Sequence, residues 1–164
     1  MLRTDGHRPE AVRKSGRSTL WIFLLLPCVA LAASGESLPP VLANQNQVPA
    51  GTLRDGTLTI HLEIAKGEWH PEAENGIALS VYAFGESGKS LQNPGPLIRV
   101  PQGTEVQAWL HNTLPVSVTV HGLGERQGES GAGVEIAPGA VEHARFTTKT
   151  PGPGLYLYWA ATEI

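Results

Sequence analysis

Apolar and polar residues alternate along several short segments of this chain with a period of two. The alternation is clearest in residues 58–64 (LTIHLEI) and 105–110 (EVQAWL). This period is typical of half-buried β-strands. The other segments predicted as strands are residues 78–84, 97–100, 116–120, 134–136, 140–148 and 155–161. Because none of the segments combines a helical period with caps, we expect an all-β fold.

Glycine and proline punctuate the intervals between these strands, with 19 Gly and 13 Pro residues in the chain. Many short strands separated by turn residues favour an antiparallel β-sandwich or barrel. Residues 34–52 are rich in Pro, Asn, Gln and Ser and show no period. We therefore predict a linker over residues 33–52 and one domain over residues 53–164.

The N-terminal segment has a different pattern from the rest of the chain. Five basic side chains fall within residues 3–17, and an apolar run of 14 residues follows at 20–33. That run is short for a membrane span, which needs about 20 residues. Ala30-Leu31-Ala32 resembles a cleavage site. The order predicts a signal peptide over residues 1–32 and an exported, periplasmic or secreted protein, with an uncleaved signal anchor as the alternative.

Charge and cysteine content narrow the function further. Removing residues 1–32 would leave seven Lys and Arg against thirteen Asp and Glu, a net charge of −6. An acidic exported domain is a poor candidate for binding nucleic acid or an anionic membrane surface, so we expect no nucleic acid and no membrane contact beyond the signal. Cys28 would leave with the signal peptide, which excludes disulfides and thiolate metal sites from the remaining chain.

Five histidines lie beyond the predicted signal peptide and are the candidate metal ligands. None is paired as His-x-His or His-x₃-His, whereas copper and zinc sites usually draw several imidazoles from close spacing. Four are expected at the surface or in turns: His61, His70, His111 and His143. His121 differs because it ends a strand, on the phase opposite the valines of residues 116–120. It is the candidate ligand, with an imidazole bonded to a carbonyl or water as the alternative.

Several motifs occur in a characteristic order. They are PLIRV at 96–100, GTEV at 103–106, NTL at 112–114, VHGL at 120–123, PG at 138–139 with Phe146, and PGLYLY at 153–158. Taken together, they resemble the N-terminal plastocyanin-like domain of multicopper oxidases over about residues 53–162. The resemblance implies a Greek-key, cupredoxin-like β-sandwich.

The resemblance also implies copper as a cofactor. In the family, this domain supplies four histidines, as two His-x-His pairs, to a trinuclear copper cluster. Aligned on the HGL motif, His121 matches the second histidine of the first pair, and Thr119 stands where the first would be. Trp159 and Ala161 occupy the positions of the second pair. These three replacements offer copper at best a weak neutral oxygen, so His121 is the one family ligand retained.

Family members couple substrate oxidation to the reduction of dioxygen to water, and their remaining ligands lie in a C-terminal domain. The family continues beyond this point into one more strand, so we expect a domain whose last strand is missing and whose sheet edge is unpaired. Such a chain is not expected to be an active oxidase alone. Its expected partners are further cupredoxin domains or another chain.

Two other functions remain open. One is a non-enzymatic cupredoxin module with weak or no copper binding that docks on a partner. The other is a carbohydrate-binding sandwich, suggested by residues 155–161 (LYLYWAA), where Tyr alternates with Leu and Trp. Core packing is the commoner cause of such a pattern. Serine hydrolysis is not favoured, because no serine lies in a nucleophile elbow.

Overall fold

Ten β-strands make up the described part of the chain. The structure is a computed structural model that describes residues 37–124, 133–149 and 153–162. The strands are β1 (Pro40–Ala43), β2 (Thr52–Arg54), β3 (Thr57–Trp69), β4 (Leu79–Glu86), β5 (Leu91–Asn93), β6 (Glu105–Asn112), β7 (Val118–His121), β8 (Val134–Ile136), β9 (Val141–Thr147) and β10 (Trp159–Thr162). The predicted all-β class is confirmed.

The strands form two sheets of very different size. Seven strands form the large sheet, in the order β1-β5-β4-β3-β6-β9, with β2 paired to β3. Three strands form the small sheet, in the order β10-β7-β8. The side chains of β6 alternate strictly between half-buried and buried positions, as the period of two predicts. The two sheets enclose a sandwich core, as expected from the sequence. The large sheet is mixed rather than antiparallel, however, because β1 pairs in parallel with β3 and β5, and β3 pairs in parallel with β6.

Apolar side chains from both sheets fill the main core. The large sheet contributes Ile60, Leu62, Ile64, Ala108, Leu110 and Ala144, and the small sheet contributes Val118, Val120 and Ile136. Each of these side chains is at most 4% exposed. Burying a side chain of this size contributes about 1.5–3 kcal/mol, so this core is the main source of stability.

A second, smaller core lies at one end of the large sheet. Strand β1 pairs with both β5 and β3, so strands β1, β5, β4 and β3 form a closed ring. Val41, Ala65, Ala83 and Leu91 are buried together in this second core. Gly67 fits here because an added Cβ would lie 2.5 Å from Cγ2 of Val41 and 2.8 Å from Cδ1 of Leu91.

A buried amide ties the two sheets together at the end of β6. Asn112 is fully buried, and its Nδ2 donates to the carbonyl oxygens of Val116 at 2.8 Å and Ile136 at 3.0 Å. Its Oδ1 accepts a hydrogen bond from the backbone N–H of Leu114 at 3.0 Å. Because buried backbone groups need partners, this single side chain fixes the turn into β7 and the end of β8.

Four predictions about the elements were wrong. Residues 40–43, assigned to the linker, form β1 and pair with β5. Residues 97–100, predicted as a strand, belong to neither sheet, and β10 begins only at Trp159 rather than at residue 155. Strand β3 runs on to Trp69, through part of a predicted loop. Strand β1 and the far end of β3 pair with residues distant in sequence, which local periodicity cannot reveal, whereas residues 97–100 and 155–158 have no strand partner in the described sheets.

The other predictions of organisation concern segments that the structure leaves open. The predicted signal peptide, residues 1–32, lies outside the described residues. Apart from residues 40–43, which form β1, the assigned boundaries of the linker and the domain stay predictions. Among the described residues, the structure contains no helix long and apolar enough to cross a membrane.

Candidate functional site

The small sheet brings together the four positions that the resemblance aligned with copper ligands. In the antiparallel pair of β7 and β10, Thr119 lies opposite Ala161 and His121 lies opposite Trp159. Directly opposed residues project from the same face of a sheet, with Cβ atoms about 5 Å apart. The register therefore places all four side chains on one face, as the two His-x-His pairs of the family would require.

The ring of His121 packs flat against the indole of Trp159. The ring centroids are 4.1 Å apart and the planes are inclined by 19°, which is a stacked arrangement. Gly133 lies close to the same ring, since an added Cβ would lie 2.9 Å from Cε1 and 3.0 Å from Nδ1 of His121. The predicted ligand is thus half-buried, with Trp159 stacked on its ring and Gly133 beside it.

The donor groups at these four positions do not fit half of a trinuclear copper cluster. Such a half-cluster needs several imidazoles, and His121 supplies the one imidazole of the set. Thr119 adds a neutral hydroxyl, and the indole of Trp159 and the methyl group of Ala161 have no lone pair to give. Within the described ranges, no group of three or more His, Cys, Asp or Glu could hold a metal ion. The assignment of His121 as a ligand stays a prediction.

Two of the remaining histidines flank Trp109 on the outer face of the large sheet. His61 of β3 and His143 of β9 lie opposite Trp109 of β6 in the register. Their ring centroids are 4.9 Å and 4.5 Å from that of Trp109, and both pairs are stacked. His111, half-buried, follows two residues later on the same strand. The predicted exposure of His61 and His143 is confirmed, but the stacked row was not predicted.

The row explains why these exposed histidines do not form a metal site of their own. The indole of Trp109 separates His61 from His143 by two strand spacings, or about 9–10 Å. Ligands of one copper or zinc ion lie about 2 Å from it, so these two rings cannot share an ion. The row could be recognised from the sequence if His61, Trp109 and His143 were each placed on the outer face of its strand and the register of the three strands were known.

His70 anchors the loop that joins β3 to β4. Its Nε2 lies 3.0 Å from Oε1 of Glu68, and its Nδ1 lies 3.2 Å from the carbonyl oxygen of Gly76. Both partners are acceptors, so the two contacts are satisfied together when both ring nitrogens carry a proton. The hydrogen bond to Glu68 raises the pKa of His70, and the Gly76 carbonyl and the charge of Glu74 add to it. His70 is therefore a structural residue of this loop, as its predicted place in a turn suggested.

One ion pair crosses the outer face near the start of β6. Nη2 of Arg145 donates to Oε2 of Glu105 at 2.9 Å, and the two residues lie on neighbouring strands. This hydrogen bond lowers the pKa of Glu105 and raises that of Arg145. Because both side chains are in solvent, the pair contributes little to stability.

The Tyr and Leu residues before β10 do not simply alternate between core and solvent, because Tyr156 is exposed along with Leu155 and Leu157. Tyr158 faces the core, where its ring meets Phe84 edge-on at 5.0 Å. Its hydroxyl donates to the carbonyl oxygen of Pro96 at 2.7 Å, and burial raises the pKa of the phenol. Leu155, Leu157 and Trp159 are exposed. Trp159 shares one ring face with His121, which leaves less indole surface for a sugar.

Comparisons with known proteins agree with the fold. No family model matches the chain. It is 29% identical over 114 residues to a probable nitrite reductase-hydroxylamine oxidoreductase fusion protein of Kuenenia stuttgartiensis, over 65% of this chain and 13% of that protein. A multicopper oxidase from Campylobacter jejuni, described as a metallo-oxidase, superposes with a TM-score of 0.52 and 19% identity, over 76% of this chain and 26% of that one. A laccase from Pediococcus acidilactici gives a TM-score of 0.44 and 20% identity, over 70% of this chain and 25% of that one.

The described residues have the fold of a cupredoxin-like domain of multicopper oxidases. The chain spans about a quarter of the solved multicopper oxidase and about an eighth of the fusion protein. The fold is thus common to this chain and a large copper enzyme. The ligand positions are the place where their chemistry must be compared, because a fold alone does not carry a function.

Proposed function

We propose that this chain is an exported, cupredoxin-like domain that serves a larger oxidoreductase assembly without forming a complete copper centre of its own. Its role is to dock on further cupredoxin domains or on another chain. The basic and apolar order of residues 3–33 supports export. The fold and the fusion-protein relative support a place beside redox domains.

The stack of His121 on Trp159 is the observation that carries this proposal. The two residues occupy paired positions on the face where the resemblance expects copper ligands. A tryptophan in direct contact with the imidazole, at 4.1 Å between centroids, fills space that further ligands would need. The site is therefore packed as a small aromatic cluster, with one imidazole where a copper cluster needs several.

A copper titration tests the proposal. We would titrate Cu(II) into the full chain, the His121→Ala variant and the His61→Ala variant, and follow binding by calorimetry and electron paramagnetic resonance. The proposal predicts weak binding, with a Kd above about 10 μM, that His121→Ala does not abolish selectively. His61→Ala is the matched control, because it removes an exposed imidazole that is also stacked on a tryptophan. Tight stoichiometric binding lost only in His121→Ala would refute the proposal.

Retained copper binding at His121 is the second candidate function. It is favoured by the position of His121, which ends β7 and matches a family ligand in the register with β10. In that case a partner chain would supply the missing ligands. The same titration in the presence of such a partner would give a copper signal that depends on His121.

A further inference from the structure

An open groove of about 620 Å³ lies at one end of the sandwich, between residues 94–102 and residues 153–158. Its floor is formed by Phe84 of β4, Val106 of β6 and Phe146 of β9. Phe84 and Phe146 also pack against the main core. The groove is therefore an opening into the apolar space between the sheets.

The groove follows from the unequal widths of the two sheets. A sandwich hides the apolar face of each sheet beneath the other. Three short strands cannot cover the whole inner face of the larger sheet. The wall beside the uncovered floor is also apolar and exposed, with Leu155 at 89% and Leu157 at 76% exposure. An apolar groove with an exposed apolar wall is typical of an interaction site.

The backbone beside the groove can accept another strand. Neither residues 97–100 nor residues 155–158 form part of a strand in the described sheets. Residues 155–158 lead directly into β10. Strand β10 is an edge strand of the small sheet, because among the described strands it pairs with β7 along one side only. Edge backbone that is outside a ladder is the usual place at which an extended peptide adds to a sheet.

The charge of the groove selects among possible occupants. Arg99 is the one charged side chain among the described residues that line it, and it is exposed. No Asp or Glu belongs to that described lining. The hydroxyl of Tyr158 is bonded to Pro96, and its raised pKa keeps it neutral. The groove is thus complementary to an apolar segment with a negative charge at its rim.

We infer that the groove binds an extended β-strand of a partner protein, whose apolar side chains alternate with polar ones and whose carboxylate meets Arg99. Every second side chain of such a strand would face the floor formed by Phe84, Val106 and Phe146. The strand would lie along the wall that leads into β10 and widen the small sheet. The inference names the ligand for the docking role proposed above, and it rests on that role.

A second copy of this chain is a poorer occupant. In a symmetric pairing of two copies through this edge, each would offer β10, in which Ala160 packs toward the core and Thr162 is half-buried. These small side chains would leave most of the 620 Å³ empty. A strand with bulky, β-branched apolar residues fills the groove better and also has the higher strand propensity.

A strand peptide tests the inference. The probe is a fluorescent peptide of about ten residues in which valine alternates with threonine and one central threonine is replaced by glutamate. Binding to the full chain is followed by fluorescence anisotropy, beside a matched peptide with lysine in place of glutamate. We expect saturable binding of the glutamate peptide, weakened about tenfold or more by Arg99→Glu. The lysine peptide should bind Arg99→Glu better than it binds the unchanged protein.

Two controls make the test specific. Arg54→Glu reverses an exposed arginine of β2 that does not line the groove, and it should leave both peptides unaffected. A peptide N-methylated at every residue keeps its side chains but has no N–H group to donate along either edge, so its binding should be lost. If the N-methylated peptide bound as tightly as the unmethylated one, the groove would be recognising apolar side chains without strand pairing. That result would overturn the inference. The absence of saturation up to about 1 mM for both charged peptides would overturn it as well.

The same samples separate this inference from the proposed function. A tight copper site that depends on His121 would refute the proposed function, whatever the peptides do. Weak copper binding combined with no peptide binding would refute the strand site alone.

Discussion

The two sheets of this domain differ in how completely each is built. In the large sheet, β3 is 13 residues long and the ring of β1, β5, β4 and β3 leaves few free edges. In the small sheet, β7 and β10 have four residues each and β8 has three. Long paired strands bury their own hydrogen bonds and apolar faces, whereas a narrow sheet leaves part of both open. We therefore expect the large sheet to contribute most of the stability and the small sheet to bind the partner.

The aromatic stacks of the two sheets sharpen this contrast. Trp109 of the large sheet has an imidazole on each side, from His61 and His143. Trp159 of the small sheet has His121 on one side and is 53% exposed. The same stacking of imidazole on indole thus occurs at a position aligned with a copper ligand of the family and also on the large sheet, far from any such position. Stacking by itself is therefore a packing device and does not identify a metal ligand.

The largest effect is expected at the amide that joins the sheets. Asn112→Ala would leave the carbonyl oxygens of Val116 and Ile136 and the N–H of Leu114 without their partner in a buried site. Each unsatisfied buried group costs about 1–3 kcal/mol, so the free energy of unfolding should fall by about 3 kcal/mol or more. Chemical denaturation measures it, with the exposed Gln47→Ala as control. A loss below about 1 kcal/mol would show that the sheets do not depend on this tie.

The second effect tests the completeness of the large sheet. Gly67→Ala would place a methyl group 2.5 Å from Cγ2 of Val41 and 3.0 Å from the carbonyl oxygen of Pro39. Overpacking of this kind costs about 1–3 kcal/mol. The control is Gly124→Ala, where an added Cβ meets nothing within 4 Å and the backbone is not in the left-handed region. Equal stability of the two variants would mean that the closed ring is loosely packed.

The third effect compares the stacks directly. Trp109→Ala removes two ring contacts and a half-buried indole, whereas Trp159→Ala removes one contact and a more exposed ring. Aromatic pairs contribute about 0.5–1.5 kcal/mol each, so the Trp109 variant should lose about 1 kcal/mol more than the Trp159 variant. A double-mutant cycle of His121 and Trp159 isolates the pair on the small sheet. A larger loss for Trp159→Ala would reverse the ranking of the sheets.

The smallest effect depends on pH. The pKa of His70 is raised above 6.5 by Glu68 and Gly76, so its contacts favour the protonated, folded form. Their contribution is fully present below pH 6.5 and is lost as the pH rises through the raised value. His70→Gln should therefore lower Tm at pH 5.5 and change it less at pH 8.5, in thermal melts. If His70→Gln lowered Tm equally at both pH values, protonation of His70 would not contribute to the stability of the loop.

The sequence predicted the elements whose pattern is local. The alternation in residues 58–64 and 105–110 identified the centres of β3 and β6, and the phase of Leu155, Leu157 and Trp159 was also correct. Strand β1 was missed because a four-residue segment in a polar, Pro-rich stretch has no period of its own. The far end of β3 was missed because Gly67 and the charged residues beside it do not resemble a strand in sequence. Glycine is needed there because Val41 packs against its backbone.

The candidate site shows the same division. The four aligned positions follow from the resemblance to the family, and the register of β7 with β10 places them together. The contact between His121 and Trp159 could not be predicted, because it depends on the pairing of residues 38 positions apart in sequence. The groove was missed for a related reason, since it follows from the different widths of the sheets and not from any single segment.

The small sheet brings the four aligned positions together, but one of them, His121, carries an imidazole. The missing imidazoles can be restored in the triple variant Thr119→His, Trp159→His and Ala161→His, whose Cu(II) affinity is then measured by calorimetry beside the unchanged chain. We predict weak Cu(II) binding by the unchanged chain and binding at least about a hundredfold tighter in the folded triple variant. Tight Cu(II) binding by the unchanged chain, or no gain in affinity in a triple variant that circular dichroism shows to be folded, would contradict this prediction.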